Sequence, residues 1–415
     1  MAHFFNQYGR FSLSKALIFL RRPKWLAAMA FVATALFVSL DIVPLHTIIY
    51  EKQASSGVAA IIDAPKENEA PVFKVTHILT PKAVRAVYMT SWVAGTKSLR
   101  NHIVSLIDTT ELNAVIIDIK DYSGHIAFSV DDQIVSKYGA SENRFPDVRE
   151  FIGELHKKNI YVIGRITVFQ DPFLAKTRPD LAVKKESDKG VLWKDHKGLS
   201  YIDPAAEEGW KYIAALARAS YMLGFDELNF DYIRFPSDGN MRDIYYPWSE
   251  ARINADVSLG KASVLRDFFR FLRGSLSDIH ENGAMLSADL FGMTTTNTDD
   301  LNIGQILEYA EPYFDYLAPM VYPSHYPSGF HGFANPNEHA YEIVKYSMDS
   351  AVTRLIAASS TQNKLRPWLQ DFNYGGTYDA AKVRAQIQAV YDAGLSSWML
   401  WDPSNKYTSG ALLAE

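Results

Sequence analysis

Residues 224–236, "GFDELNFDYIRFP", decide the fold. Taken in twos, the stretch puts Asn229, Asp231 and Ile233 on one face of a strand and Leu228, Phe230 and Tyr232 on the other, with Arg234 just beyond. A short strand this apolar belongs in a parallel sheet covered on both faces. The amide, carboxylate and guanidinium at its end then need a reason of their own.

Seven more apolar runs flank it: "RAVYMTSW" (85–92), "NAVIIDIKD" (113–121), "IYVIGRITVF" (160–169), "AMLSADLFG" (284–292), "DYLAPMVYP" (315–323), "LRPWLQDF" (365–372) and "SWMLWDP" (397–403). Helical-period segments separate them, among them 98–108, 146–159 and 205–222. Eight strands alternating with helices predict an α/β chain folded as a TIM (β/α)8 barrel. An open doubly wound sheet is the alternative, but no glycine-rich phosphate turn follows the first strand. A barrel predicts polar residues at the C-terminal strand ends, where barrel active sites lie. Asp118, Lys120 and Asp121 end the second strand, Asp231 and Arg234 the fourth, and Asp289 the fifth. Tyr322 follows on the sixth, Asp371 on the seventh, and Trp401 and Asp402 on the eighth. Long crossovers at 122–145 and 170–204 fall on that same face and predict the walls of a cleft.

The formal charge of −5, without a basic stripe, excludes a nucleic-acid partner. The lack of cysteine excludes disulfides, thiolate metal sites and a cysteine nucleophile. No HExxH, GxxxxGK[ST] or GxSxG occurs, and no cofactor or metal is expected. Residues 1–24 carry Arg10, Lys15, Arg21, Arg22 and Lys24 and no acid; an apolar run then leads through Leu40 to Leu45. This predicts a basic cytoplasmic N-terminus (1–24), a transmembrane signal-anchor helix (25–45), a flexible linker (46–82) and the barrel (83–415). The protein is then single-pass in a bacterial inner membrane, its barrel facing the periplasm or exterior. A cleaved secretory signal is the competing expectation, without a small-x-small site after Leu40.

Asp231 and Asp289, on adjacent strands, are the candidate catalytic pair. Glycoside hydrolysis needs one protonated and one ionised carboxyl. Arg234 is expected to keep Asp231 ionised, with Asn229 and Asp371 in support. A strand-end aspartate also serves simply to cap a helix or pair with a lysine. Asp118, Asp121 and Lys120 are expected to form a buried ion-pair network that Arg165 joins. A metal site on Asp118, Asp121 and Asp231 is a lesser alternative. Tyr232, Tyr322, Trp401 and Trp92 near strand ends, and Trp248 in "YYPW" (245–248), are candidate platforms for sugar rings. His325 and His331, in the loop after the sixth strand, read as solvated. A carboxyl separation of about 5 Å would predict retention of configuration, and about 6.5–9.5 Å inversion.

The segments "GRITVFQDPFLA", "RPDLAV", "YIDPAAEEGW", "GFDELNFDYIRFPSDG", "MVYPSHY" and "WDPSN" run in order between residues 85 and 405. Together they resemble a bacterial family of barrel proteins described as glycoside hydrolases. The resemblance implies a glycosidase acting on an envelope or extracellular polysaccharide. More distantly, "GFDELNFDYI" resembles the fourth-strand motif of chitinase-like glycosidases. Asp226, Asn229 and Asp231 fall on its aspartate positions, but Ile233 stands where the catalytic glutamate belongs. That departure excludes copying the chitinase mechanism and favours, as an alternative, a barrel that binds glycan without cleaving it. The α-amylase-type barrels imply instead Asp231 as nucleophile, Asp289 as acid and Asp371 on the seventh strand. Their fifth-strand acid is a glutamate, one methylene longer than Asp289.

Overall fold

A computed structural model describes residues 74–414. The expected N-terminus (1–24), membrane anchor (25–45) and most of the linker lie outside the described residues. Among the described residues no helix is long and apolar enough to cross a membrane.

All eight expected strands are present: β1 (Arg85–Met89), β2 (Ala114–Lys120), β3 (Tyr161–Thr167), β4 (Glu227–Asp231), β5 (Met285–Phe291), β6 (Tyr316–Met320), β7 (Trp368–Gln370) and β8 (Trp398–Trp401). They pair in parallel, in chain order, and β8 closes on β1. The helices Lys97–Asp108, Val148–Lys157, Glu207–Tyr221, Gly260–Ser275, Ala340–Ala357 and Ala380–Asp392 alternate with them. The fold is a TIM barrel.

Alternation along each strand splits the apolar residues into two clusters. Val115, Ile117, Leu228, Phe230, Leu286 and Leu290 join helix residues such as Phe151, Leu216 and Phe268 in the large outer core. Ala86, Tyr88, Ile116, Ile163, Ala318, Trp368 and Met399 form a smaller cluster without the main helices, as expected of the lumen. Asn229 and Asp231 have the parity of the lumen. The register sets Arg165 beside Asn229 and Thr167 beside Asp231.

Two expectations need correction. The alternation of β4 stops at Asp231, because Tyr232 takes a left-handed backbone with φ 52°. Asp231 Oδ1 accepts the Tyr232 N–H at 2.6 Å, which supports this turn. Ile233 therefore leaves the face of Asp231 and is fully buried in the outer core with Phe235. The linker also ends earlier than expected. From Thr76 the chain is seated on the N-terminal end of the barrel: Thr76 Oγ1 bonds His156 Nδ1 (2.8 Å), Ile78 N–H donates to Asp226 Oδ1 (2.9 Å) and Thr80 Oγ1 bonds Tyr161 (3.0 Å). Composition could not announce this, since every one of these partners is tertiary.

Asp226 is the hub, and its Oδ2 also takes His156 Nε2 (3.0 Å) and the Val162 N–H (2.9 Å). Removing it orphans several buried donors. Asp226→Ala is expected to cost about 3 kcal/mol by denaturant unfolding. Leu79→Ala, at 93% exposure in the same segment, should stay within about 0.5 kcal/mol.

Candidate active site

Charged groups stand among the apolar residues of the lumen from its floor upward. Glu227, the first residue of β4, accepts Arg366 Nη1 (2.7 Å) and the Tyr161 hydroxyl (3.1 Å), and Arg366 lies 3.6 Å from the centre of the Tyr316 ring. Above it stands Arg165, projected from β3. Its Nη1 donates to Asp118 Oδ1 at 2.7 Å. Its Nε and Nη2 both reach Asp231 Oδ2, the first at 3.1 Å. Asp289 Oδ2 lies 4.0 Å from the same Nε. Three carboxylates from β2, β4 and β5 thus surround one guanidinium.

Three negative charges around one positive charge in a buried site cannot all persist. Burial opposes the charge of Arg165, but Asp231 and Asp118 outweigh it and raise its pKa. Burial and then the neighbouring Asp231 push Asp289 well above the usual carboxylate range, against the pull of Arg165. Burial likewise raises Asp118, against Arg165 and the hydrogen bond from Tyr88. Burial therefore favours the protonated form of Asp289, beside an Asp231 paired with Arg165. Asn229 Nδ2 (2.9 Å) and Trp368 Nε1 (2.7 Å) both donate to Asp289 Oδ1, which leaves the proton to Oδ2. Asn229 also donates to Ser287 Oγ at 3.1 Å.

The other candidates fall in different places. Arg234 turns away from Asp231 toward Phe235 O (3.2 Å) and Ser237 Oγ (3.0 Å), its guanidinium 4.8 Å from the Tyr232 ring centre. The cation on Asp231 is Arg165. Asp371 accepts the N–H (2.9 Å) and hydroxyl (2.6 Å) of Thr408 and so fastens the segment after β8. Trp401 stacks on Tyr88 at 3.9 Å, meets Trp368 edge-on at 5.4 Å and covers Arg165 at 5.0 Å. Tyr322 is buried at the same place. Burial, Asp289 and Asp231 raise its phenol. Tyr232 packs partly into the outer core. Trp248, half exposed, is tied to Asp180 O and Asp203 on the loop after β3. Trp92 is 60% exposed, with Arg144 4.8 Å from its ring centre.

Asp118, Lys120 and Asp121 do not share one network. Lys120 reaches Asp171 (2.8 Å) and Thr167 O (2.5 Å), while Asp121 pairs with Arg144 (2.6 Å). Among the described residues no three His, Asp or Glu side chains converge as a metal site. Tyr88 and Trp368 also line this site, and neither stands out in the sequence. Their one signal is an aromatic at a lumen-parity position, indistinguishable in sequence from core.

A model of the family described as "Putative glycosyl hydrolase domain" matches residues 86–407. No curated protein matches the chain. Among solved structures, a hypothetical protein from Ruminiclostridium thermocellum ATCC 27405 is 32% identical over 49% of this chain and 96% of its own, with a TM-score of 0.42. The glycoside hydrolase domain of PgaB (BpsB) from Bordetella bronchiseptica is 14% identical over 77% of this chain and 94% of its own, with a TM-score of 0.54. At that identity the likeness is one of fold. A chitinase from Chromobacterium violaceum ATCC 12472 is 14% identical over 79% of this chain and 96% of its own, with a TM-score of 0.44.

Burial raises Asp371 from 3.8 to about 6. Its folded pKa lies above the unfolded one, so its contribution is complete below about pH 4 and is lost as pH rises through about 6. Asp371→Asn cannot ionise. Between about pH 4 and pH 7 it should gain on the parent by up to about 3 kcal/mol, measured by urea unfolding at each pH.

Proposed function

The chain belongs to this glycosyl hydrolase domain family, and from that premise we propose a glycosidase with Asp289 as general acid and Asp231 as nucleophile or base. The observation that carries the proposal is the unlike surroundings of two neighbouring carboxyls: Asp289 is buried and accepts from the neutral donors Asn229 and Trp368, while Asp231 is paired with the Arg165 guanidinium. Environments that push two acids apart are how one site supplies a proton and a negative charge together. Asp289 Oδ2 would give its proton to the leaving oxygen, and Asp231 would attack the anomeric carbon or take a proton from water. Asn229 and Trp368 hold the acid, and Arg165 holds the base. Tyr322 and Trp401 would border the reacting position; Trp92, on the short helix Ser91–Ala94, and Trp248 are more exposed.

An envelope or extracellular polysaccharide is the substrate we propose. Support comes from the basic residues 1–24 and the apolar residues 25–45, which would anchor the chain in a bacterial inner membrane with the barrel outside. One observation favours a second reading, a barrel that binds glycan without cleaving it. Both carboxyls are enclosed, Asp289 at 1% and Asp231 at 5% exposure.

A panel of envelope and extracellular glycans separates the two. The hydrolase reading expects cleavage of one of them, reduced at least about 100-fold in both Asp231→Asn and Asp289→Asn. Cleavage unchanged in Asp231→Asn contradicts the assignment, and binding without cleavage by the wild type supports the second reading. A general acid must carry its proton, so kcat/KM should fall on the alkaline side with the raised pKa of Asp289. That alkaline limb should vanish from the residual activity of Asp289→Asn.

A further inference from the structure

The loops after β6 and β7 build a wall that the catalytic proposal does not use. Tyr322 and His325 come from the first loop, Phe372 and Tyr374 from the second. The His325 ring lies 5.3 Å from Tyr322, 6.2 Å from Phe372 and 6.0 Å from Tyr374, and Tyr322 meets Phe372 at 5.6 Å. Exposure climbs outward along the wall. Tyr322 is buried against Asp289 and Asp231, Phe372 is half-buried, His325 is exposed, and Tyr374 is 63% exposed. A patch that merely filled the core would not end on two open rings.

The wall is also held in shape. Gln370, fully buried, accepts the Ser324 N–H (3.2 Å) and donates to Phe372 O (2.9 Å), so it joins the two loops. Its own backbone is clamped from both sides by Gln386, at 3.0 and 2.8 Å. Ser324 Oγ bonds His325 Nδ1 at 2.9 Å and fixes the imidazole plane. His325 Nε2 has no protein hydrogen-bond partner among the described residues. Rings and a hydrogen-bonding nitrogen fixed before ligand arrives reduce the ordering cost of binding.

Resting on the hydrolase reading, we propose that Tyr322, His325, Phe372 and Tyr374 form a subsite for one hexopyranose ring of the glycan chain, with His325 Nε2 bonding a ring hydroxyl. A pyranose offers an apolar C–H face with hydroxyls around its rim. A ramp of aromatic rings with one hydrogen-bonding nitrogen matches that pattern. Partial desolvation by the surrounding rings, aided by Lys197 on the long loop after β3, holds His325 below its usual pKa. At neutral pH the ring is uncharged and suited to a neutral hydroxyl.

The test uses full-length Asp231→Asn with cellopentaose, chitopentaose and maltopentaose, binding being measured by calorimetry. At least one should bind. Adding Tyr374→Ala or His325→Ala should weaken it at least 10-fold, while Leu79→Ala, at the other end of the barrel, leaves it unchanged. Unchanged melting temperatures for these exposed positions establish that the variants fold. Affinity unaltered in both wall variants overturns the subsite, as does binding of none of the three sugars. Wild-type chain that cleaves a bound sugar while both wall variants bind normally loses the subsite and keeps the hydrolase. Wild-type chain that binds through the wall and cleaves nothing does the reverse.

Discussion

A guanidinium buried in the middle of the barrel organises the rest of this structure. Arg165 leaves β3 into a lumen where desolvation penalises its charge, and it is retained because Asp118 and Asp231 meet it from the strands on either side. The cost of breaking such a pair exceeds the benefit of making it, since the survivor is a buried, uncompensated charge. Register and charge are therefore mutually dependent. Asp118 lies directly across from Arg165 on β2, and Asn229 faces it from β4. A slip of one residue would turn each of them into the outer core.

From that constraint a closed circuit follows. Asp118 accepts the Tyr88 hydroxyl, Tyr88 stacks on Trp401, Trp401 abuts Trp368, and Trp368 donates to Asp289. The circuit returns to Arg165 through Asp289 and Asp231. Barrels of this type commonly fill the lumen with branched aliphatic side chains. Here the same space holds, beside Ile116 and Ile163, acids, two arginines and indoles, an arrangement that sacrifices packing for fixed charges. One guanidinium cannot neutralise three carboxyls, and burial pushes Asp289 furthest toward its neutral form. The proposed chemistry is a consequence of that imbalance.

Much of this was legible in the sequence. The eight strands showed because a parallel strand covered on both faces is an uninterrupted apolar run. Asp231 and Asp289 showed because a charge ending such a run is anomalous. What failed to show depended on partners distant in the chain. Arg234 is near Asp231 in sequence, but the left-handed Tyr232 between them redirects the chain, and a residue from the preceding strand takes the place expected of it. The same turn removes Ile233 from the face that strict alternation assigned to it. Residues 76–82 looked like linker because their hydrogen-bond partners lie between 80 and 148 positions away. Trp368 and Tyr88 have the composition of core and the geometry of a site, and only the lumen's closure separates the two.

The protonation of Asp289 is the central claim, and it can be observed without a substrate. Side-chain 13C carboxyl resonances, assigned with Asp289→Asn and followed from about pH 4 to pH 8, report each carboxyl directly. The account predicts that Asp289 keeps the shift of a neutral acid well above the pH at which an ordinary aspartate, with a pKa of about 3.9, has ionised. An Asp289 that ionises together with the surface carboxylates would contradict it.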